Sequence, residues 1–390
     1  MNSANRGHLA ISINYETLPI QMSTELFIGL MSGTSVDGVD SSIVSFEDNK
    51  IEIVSSYYEE CPKEIRENIL TLCEGSKTSL KFLGETDIAV GKLFASVVNT
   101  HLKKSKIDSS SITAIGSHGQ TVWHQPFGTH SFTMQLGSPS VISQKTGITT
   151  VSGFRQKDVA NGGQGAPLTP VFHQEFFSKK DRDRAIINIG GMTNITLLPK
   201  TGTCSAYDIG AGNVLMDYWN LRENGTKYDK NGDWAATGQC NKKLLQEMLA
   251  EPYLKLSPPK STGRELFNEA WLQKKISLCG GDLRAEDIQN TLSNFTSECI
   301  SDAVRSFSKD LEIYVCGGGA HNTFLMKNLK ASFDTIPVET TSKLGIEPDW
   351  VEAVAFAWMA KQTVQGKKLE TKPFTGATKP CVLGGIYQGN

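Results

Sequence analysis

Glycine clusters at the ends of apolar strands constrain this chain more than any other feature. Residues 26–31 read as a buried strand, 33–38 as a turn and 39–46 as a returning strand, and 51–58 continue the meander. Residues 185–189, the pair Gly190-Gly191 and residues 193–197 repeat the theme, which suggests two halves of similar design. A third apolar segment, 313–316, runs into Gly317-Gly318-Gly319, with a helix expected from near His321. Glycine at a strand end lets backbone approach a ligand closely, although a tight turn uses it equally well.

Helices fill the intervals. Val90, Leu93, Phe94 and Val97 recur at helical spacing and give one buried stripe. Residues 112–118 and 148–152 read as strands, the latter entering a loop over 154–167, and 350–364 form a strongly apolar helix. Strands alternating with helices give the α/β class. A chain of 390 residues exceeds one hydrophobic core, so two domains are expected. Residues 26–175 with 366–390 form the first and 176–365 the second, with the break where an apolar helix meets the charged run 179–184. Residues 1–25 read as an N-terminal extension without the apolar core of a signal peptide.

Composition excludes several function classes. A net charge of -2 argues against nucleic acid as a partner, since phosphate binding needs a basic surface. No stretch is long and apolar enough to span a bilayer. The eight cysteines form no C-x-x-C pair and read as reduced thiols of a cytoplasmic protein. His118, His124 and His130 are spaced six apart, which fits neither a helix nor a strand face and argues against a zinc site.

The candidate site residues fall in the glycine-rich segments. Gly33, Thr34, Ser35, Val36, Asp37, Gly38, Val39 and Asp40 form a hairpin tip whose amides and hydroxyls suit an anion, as they also suit a plain turn. Asp37 is the candidate carboxylate for Mg²⁺, held through water. Gly190, Gly191 and Asn194 form a second tip, and two facing tips would clamp a triphosphate. Gly317, Gly318, Gly319 and Asn322 would let a nucleoside approach backbone. Asp158 lies near Arg155 in a glycine-rich turn with Gln164, either as a proton acceptor or in a surface ion pair, and Arg155 and Gln164 are candidates for substrate contacts. His118 and Gln120 leave a strand end and are candidates for sugar hydroxyls or for structural roles. Asp208 and the 260–264 stretch read as polar loops suited to substrate or phosphate. Glu352, at a helix start, faces a cleft or solvent.

Together these segments resemble a known family. Met31-Ser-Gly-Thr-Ser-Val-Asp-Gly-Val-Asp40, Gly116-Ser-His-Gly-Gln-Thr121, Phe154-Arg-Gln-Lys-Asp-Val-Ala-Asn-Gly-Gly-Gln-Gly-Ala-Pro-Leu168, Asn188-Ile-Gly-Gly-Met-Thr-Asn-Ile195, Lys260-Ser-Thr-Gly-Arg-Glu-Leu266 and Cys316-Gly-Gly-Gly-Ala-His-Asn322 are similar to anhydro-N-acetylmuramic acid kinases, in order and spacing, from about Phe27 to Tyr387. The chain departs from that pattern at several points. Val36 stands where Met or Leu is commoner, and Asp208-Ile-Gly-Ala-Gly replaces Asp-Thr-Gly-Pro-Gly. Gly137-Ser138-Pro139 replaces Gly-Asp/Glu-Pro, and Ser152-Gly153-Phe154 replaces Ala-Asp-Phe.

The resemblance implies a two-domain actin, hexokinase and Hsp70-like fold with an interdomain cleft. It implies ATP phosphates at residues 33–40, Mg²⁺, Asp158 as catalytic base and a small anhydro amino sugar as substrate, in a homodimer. It also implies ring opening of 1,6-anhydro-N-acetylmuramic acid coupled to phosphorylation of O6. One carboxylate would suffice if the leaving O6 is taken by the γ-phosphoryl group while the base activates water. A levoglucosan-type kinase or a non-catalytic sugar sensor are the competing readings.

Overall fold

The computed structural model describes residues 25–47, 50–75, 77–258, 260–333 and 335–390. The expected N-terminal extension lies outside these residues except for Glu25. The first half comprises β1 (Leu26–Ser32), β2 (Gly38–Glu47), β3 (Lys50–Glu60), α1 (Lys63–Cys73), α2 (Leu80–Ser105), β4 (Ile112–Gln125), β5 (Phe132–Leu136), α3 (Pro139–Thr146), β6 (Thr150–Ser152), α4 (Phe154–Ala160) and α5 (Thr169–Phe177). There follow β7 (Asp183–Ile189), β8 (Met192–Leu198), β9 (Ser205–Ala211), α6 (Val214–Asn224), α7 (Lys242–Leu249), α8 (Glu269–Cys279), α9 (Ala285–Arg305), β10 (Leu311–Cys316), α10 (Thr323–Ser332) and β11 (Val338–Thr340). The chain ends with α11 (Val351–Val364), α12 (Lys372–Thr375) and β12 (Gly385–Tyr387).

Two sheets result, ordered β12-β6-β4-β1-β2-β3, with β5 on β4, and β11-β10-β7-β8-β9. In the first, β2 runs antiparallel to β1 and β3, while β4 runs parallel to β1 and β6. In the second, β8 runs antiparallel to β7 and β9, while β10 runs parallel to β7 and β11. The two five-strand series therefore match in order and in direction, and the echo seen in sequence is a duplicated topology. Each series starts with an apolar strand buried on both faces, which is what a central strand requires.

The helices take their places through their apolar faces. Val90, Phe94, Val97 and Val98 of α2 are buried against the first sheet. Ser79 caps α2 by accepting from Phe82 N, and Lys106 ends it in the left-handed region (φ 56°). Helices α6 to α10 enclose the second sheet with a separate core that includes Trp219, Phe267 and Phe295.

Helix α11 corrects the domain division read from sequence. It packs on β1 and β4 of the first sheet, although 176–365 were assigned to the second domain. Its seat is a pair of register neighbours, Gly29 and Gly116. A Cβ on Gly29 would lie 1.7 Å from the Ala353 carbonyl oxygen, and one on Gly116 would lie 2.0 Å from that of Phe356. Only glycine admits the helix backbone so closely. The segment 208–213 also departs from expectation. Ala206, Tyr207, Ile209 and Ala211 are buried, so the stretch that read as a polar loop is mostly strand β9. The loop expected over 154–167 begins as helix α4. Among the described residues no helix is long and apolar enough to cross a membrane, and all eight cysteines are free thiols.

Candidate active site

The β1–β2 tip is braced from β4. Ser32 Oγ donates to Gln120 Oε1 (2.6 Å), and Gln120 Nε2 donates to Gly33 O (3.2 Å) and Thr121 O (3.3 Å). Val36 closes the turn onto Gly33 O (3.2 Å) with φ 55°, a left-handed conformation that strains a β-branched residue by about 1–3 kcal/mol. Burial of its side chain, 1% exposed, holds it there. Gly33 itself borders open space.

The β7–β8 tip is stitched to the start of α6. Asn213 N donates to Gly190 O (2.8 Å), and Gly212 N and Val214 N donate to Gly191 O (2.9 and 3.0 Å). The two tips face each other: a Cβ on Gly191 would lie 3.7 Å from Thr34 Oγ1. The third glycine cluster presses on the end of β7. Gly317 takes φ 77°, and a Cβ there would lie 2.3 Å from Asn188 Oδ1; one on Gly319 would meet Ile189 Cγ2 at 2.3 Å. Glycine-lined backbone and the N-terminus of α6 thus converge, a donor set that fits a nucleotide's phosphates.

The remaining residues expected at the nucleotide differ in their engagement. Asn194 lies within β8, opposite Asp208, rather than at the tip. Asn322 Oδ1 caps α10 by accepting from Leu325 N (3.0 Å). Asp40 pairs with Tyr58 in the β2–β3 ladder. Asp37 O accepts from Tyr58 Oη (3.0 Å) and Cys61 N (2.8 Å), fixing the end of the tip. Among the described residues no group of three or more His, Cys, Asp or Glu is arranged to hold a metal.

The two candidate aspartates have opposite environments. Asp158 is 0% exposed. Its Oδ1 accepts from Thr371 Oγ1 (2.6 Å) and Thr375 Oγ1 (3.0 Å), and its Oδ2 accepts from Gly165 N (2.8 Å). Both of its oxygens are thus bonded within the protein, away from solvent. Asp208 is only partly buried. Of its carboxylate oxygens only Oδ2 has a hydrogen bond to the described residues, from Thr262 N (3.1 Å). Burial pushes its carboxyl up to about 6, with the charge of Glu265 adding to that, against the Thr262 amide and Arg155.

Arg155 links the halves. Its guanidinium, on α4, acts electrostatically on Glu352, Asp158 and Asp208. Nη1 donates to Gly165 O (2.9 Å) and Nε to His118 Nε2 (2.8 Å). Glu352, on the first turn of α11, is raised from the ordinary carboxylate range by burial, against Arg155 and Asn188. Gln164 N donates to Thr375 O (2.8 Å). His118 and Gln120, expected on sugar hydroxyls, are 5% and 1% exposed, with His118 bonded to Arg155 and Gly119 and Gln120 to Ser32, Gly33 and Thr121.

Sequence reading missed the frame of Asp208. Its own N–H donates to Lys260 O (3.2 Å), and its carbonyl accepts from Tyr253 Oη (2.8 Å). Lys260 lies over the Tyr253 ring at 4.8 Å. The Lys260–Arg264 stretch was visible as a polar loop, but its target was not, because it lies 54 residues away from Asp208.

The family model described as anhydro-N-acetylmuramic acid kinase matches residues 25–389. Proteins named anhydro-N-acetylmuramic acid kinase from Coxiella burnetii, Shewanella loihica and Photobacterium profundum are each 46% identical. These matches cover 94%, 95% and 94% of this chain and 99%, 100% and 99% of the relatives. Among solved structures, the activator of the 2-hydroxyisocaproyl-CoA dehydratase from Clostridium difficile with bound ADPNP is 12% identical, with a TM-score of 0.46 over 87% of this chain and 97% of that one. With a family model matched over residues 25–389 and relatives 46% identical over nearly their whole length, the chain belongs to the anhydro-N-acetylmuramic acid kinase family.

Proposed function

We propose that this chain hydrolytically opens the 1,6-anhydro ring of 1,6-anhydro-N-acetylmuramic acid and phosphorylates O6, giving N-acetylmuramic acid 6-phosphate and ADP in peptidoglycan recycling. One observation carries the chemistry. Asp208, a carboxylate with an oxygen to spare and a titration raised to about 6, lies within the field of Arg155 on β9, opposite Asn194 of β8. Such a group is ionised at neutral pH yet basic enough to accept a proton from water.

In this reading the base is Asp208 rather than Asp158. Water attacks the anomeric carbon and its proton passes to Asp208, while the bond from that carbon to O6 breaks. ATP supplies the phosphoryl group that O6 takes, with ADP as leaving group. Gly33, Thr34, Ser35, Gly190 and Gly191 would hold the phosphates from both sides, and Gly317, Gly318 and Gly319 the nucleoside end. Mg²⁺ beside Asp37 would neutralise phosphate charge. Arg155 and Glu352 would orient the sugar.

Mass spectrometry of product formed in isotopically heavy water tests the reaction. The heavy oxygen is expected at the anomeric carbon, with one ADP released per sugar opened. ATP consumption without ring opening, or faster turnover on levoglucosan than on the amino sugar, overturns the assignment.

A further inference from the structure

We propose that His118 is a positioning residue, a neutral hydrogen-bond acceptor that holds Arg155 against the carboxylates of the site, and that it does not contact the sugar. The proposal rests on the reading of Asp208 and Arg155 given above.

Donor and acceptor chemistry fixes the imidazole. Nδ1 lies 2.7 Å from Gly119 O, and a carbonyl only accepts, so Nδ1 carries the proton. Nε2 lies 2.8 Å from Arg155 Nε, and a guanidinium only donates, so Nε2 offers its lone pair. Both ring nitrogens are thereby used, and no donor or acceptor is left for a hydroxyl. The strand bends to allow this. Gly119 takes φ 78°, and a Cβ there would lie 2.7 Å from Leu136 O.

Helix α11 completes the arrangement. Phe356 packs on the imidazole with centroids 4.8 Å apart, and Glu352, one turn earlier on the same helix face, lies in the field of Arg155. Glu352 of the helix and the imidazole of His118 therefore both act on one guanidinium. Burial and the adjacent Arg155 hold the imidazole well below its ordinary titration range, against the carbonyls of Gly119 and Ser32. With Nε and Nη1 committed, Nη2 of Arg155 has no hydrogen-bond partner among the described residues and is left to face substrate.

A pair of conservative variants separates positioning from sugar contact. The Gln side chain places its oxygen near the Nε2 position and keeps an acceptor for Arg155. The Asn side chain reaches only the Nδ1 position. His118→Gln is expected to keep kcat within about threefold of the parent, whereas His118→Asn lowers it by roughly ten- to a hundredfold with sugar KM changed less than about threefold. In an Arg155→Ala background the Asn substitution is expected to change kcat by less than about twofold, because the residue it acts through is already gone. His118→Phe keeps the ring packed on Phe356 without an acceptor, and it replaces Asn as the test where Asn fails to fold. Gln as impaired as Asn, an undiminished Asn effect without Arg155, or a tenfold rise in sugar KM at constant kcat overturns the proposal. Retained turnover in Asp208→Asn with the His118 pattern intact removes only the base assignment.

Discussion

Thr371 donates its hydroxyl proton to Asp158 Oδ1 across 2.6 Å although 213 residues separate the two in sequence. That bond, with those from Thr375 and Gly165, ties α4 to α12, and α12 in turn packs against β9. Asp158 thus anchors the loop that carries Arg155. Removing this fully buried acceptor leaves Thr371 Oγ1 and Gly165 N without a partner, while Thr375 Oγ1 keeps Thr371 O (3.1 Å), so Asp158→Ala is expected to lose about 2–4 kcal/mol of stability. Urea unfolding of the variant reads this as a lower midpoint. The matched experiment is Asp208→Asn, expected to hold or raise its midpoint at neutral pH and to lose about 10²–10⁴-fold in turnover. A folded Asp158→Ala with no activity beside an active Asp208→Asn would return the base to Asp158.

The environment of Asp208 sets a pH dependence with a definite sign. Its carboxyl is raised from 3.8 to about 6, chiefly by burial. The acidic limb of kcat/KM is therefore expected near pH 6, since only the ionised form accepts a proton. Arg155 lowers this value and Glu265 raises it. Arg155→Ala should shift the limb to higher pH and Glu265→Gln to lower pH, each by about one unit or less. Stability follows from the same shift. Because the folded state binds the proton more tightly, the stabilisation is complete below pH 3.8 and is lost as pH rises through about 6. Asp208→Asn should then melt with the parent near pH 4 and above it at pH 7. Equal melting temperatures at both pH values would count against the raised titration.

The sequence showed the glycine tips because turn chemistry is local. A Gly-Gly pair between two apolar runs carries its own reason for the chain to reverse there. The duplicated topology was legible for the same reason, since strands and tips recur in the same order. What stayed hidden depended on contacts across long separations. Asp158 and Asp208 are both acidic residues among glycines, and the hydrogen bonds from Thr371, Thr375, Gly165 and Thr262 distinguish the one bonded at both oxygens from the one bonded at a single oxygen. Asp208 was also misplaced locally: Asp-Ile-Gly-Ala-Gly has turn composition, yet burial of Tyr207, Ile209 and Ala211 makes it strand. The partner of α11 was misread because an all-round apolar helix gives no face to assign. Gly29 and Gly116, unexplained inside strands, were the available signal.

Those two glycines make the seating of α11 testable. Alanine at either position would place a methyl group within 2.0 Å of helix backbone oxygen, so α11 must move away from β1 in one variant and from β4 in the other. Gly116→Ala is expected to cost about 1–3 kcal/mol or more and to lower activity in parallel, because Glu352 and Phe356 move with the helix. Gly33→Ala, which meets nothing within 4 Å, is the control and should melt within a few degrees of the parent. Indistinguishable melting of the two variants would mean that α11 does not sit as described.

The gap between Gly191 and Thr34 supplies the most direct test of the phosphate clamp. A methyl group on Gly191 would stand 3.7 Å from Thr34 Oγ1, an ordinary contact, and Gly191 is not among the glycines with positive φ. Gly191→Ala should therefore fold normally. Valine adds two methyl groups, which fill the space between the tips where the phosphates would lie. Gly191→Val is expected to raise the KM for ATP at least tenfold, a loss of about 1.4 kcal/mol in binding, with the thermal midpoint nearly unchanged. Isothermal titration with a non-hydrolysable ATP analogue separates binding from turnover in this variant. Unaltered nucleotide affinity in a folded Gly191→Val protein would place the phosphates elsewhere and remove the facing tips from the mechanism.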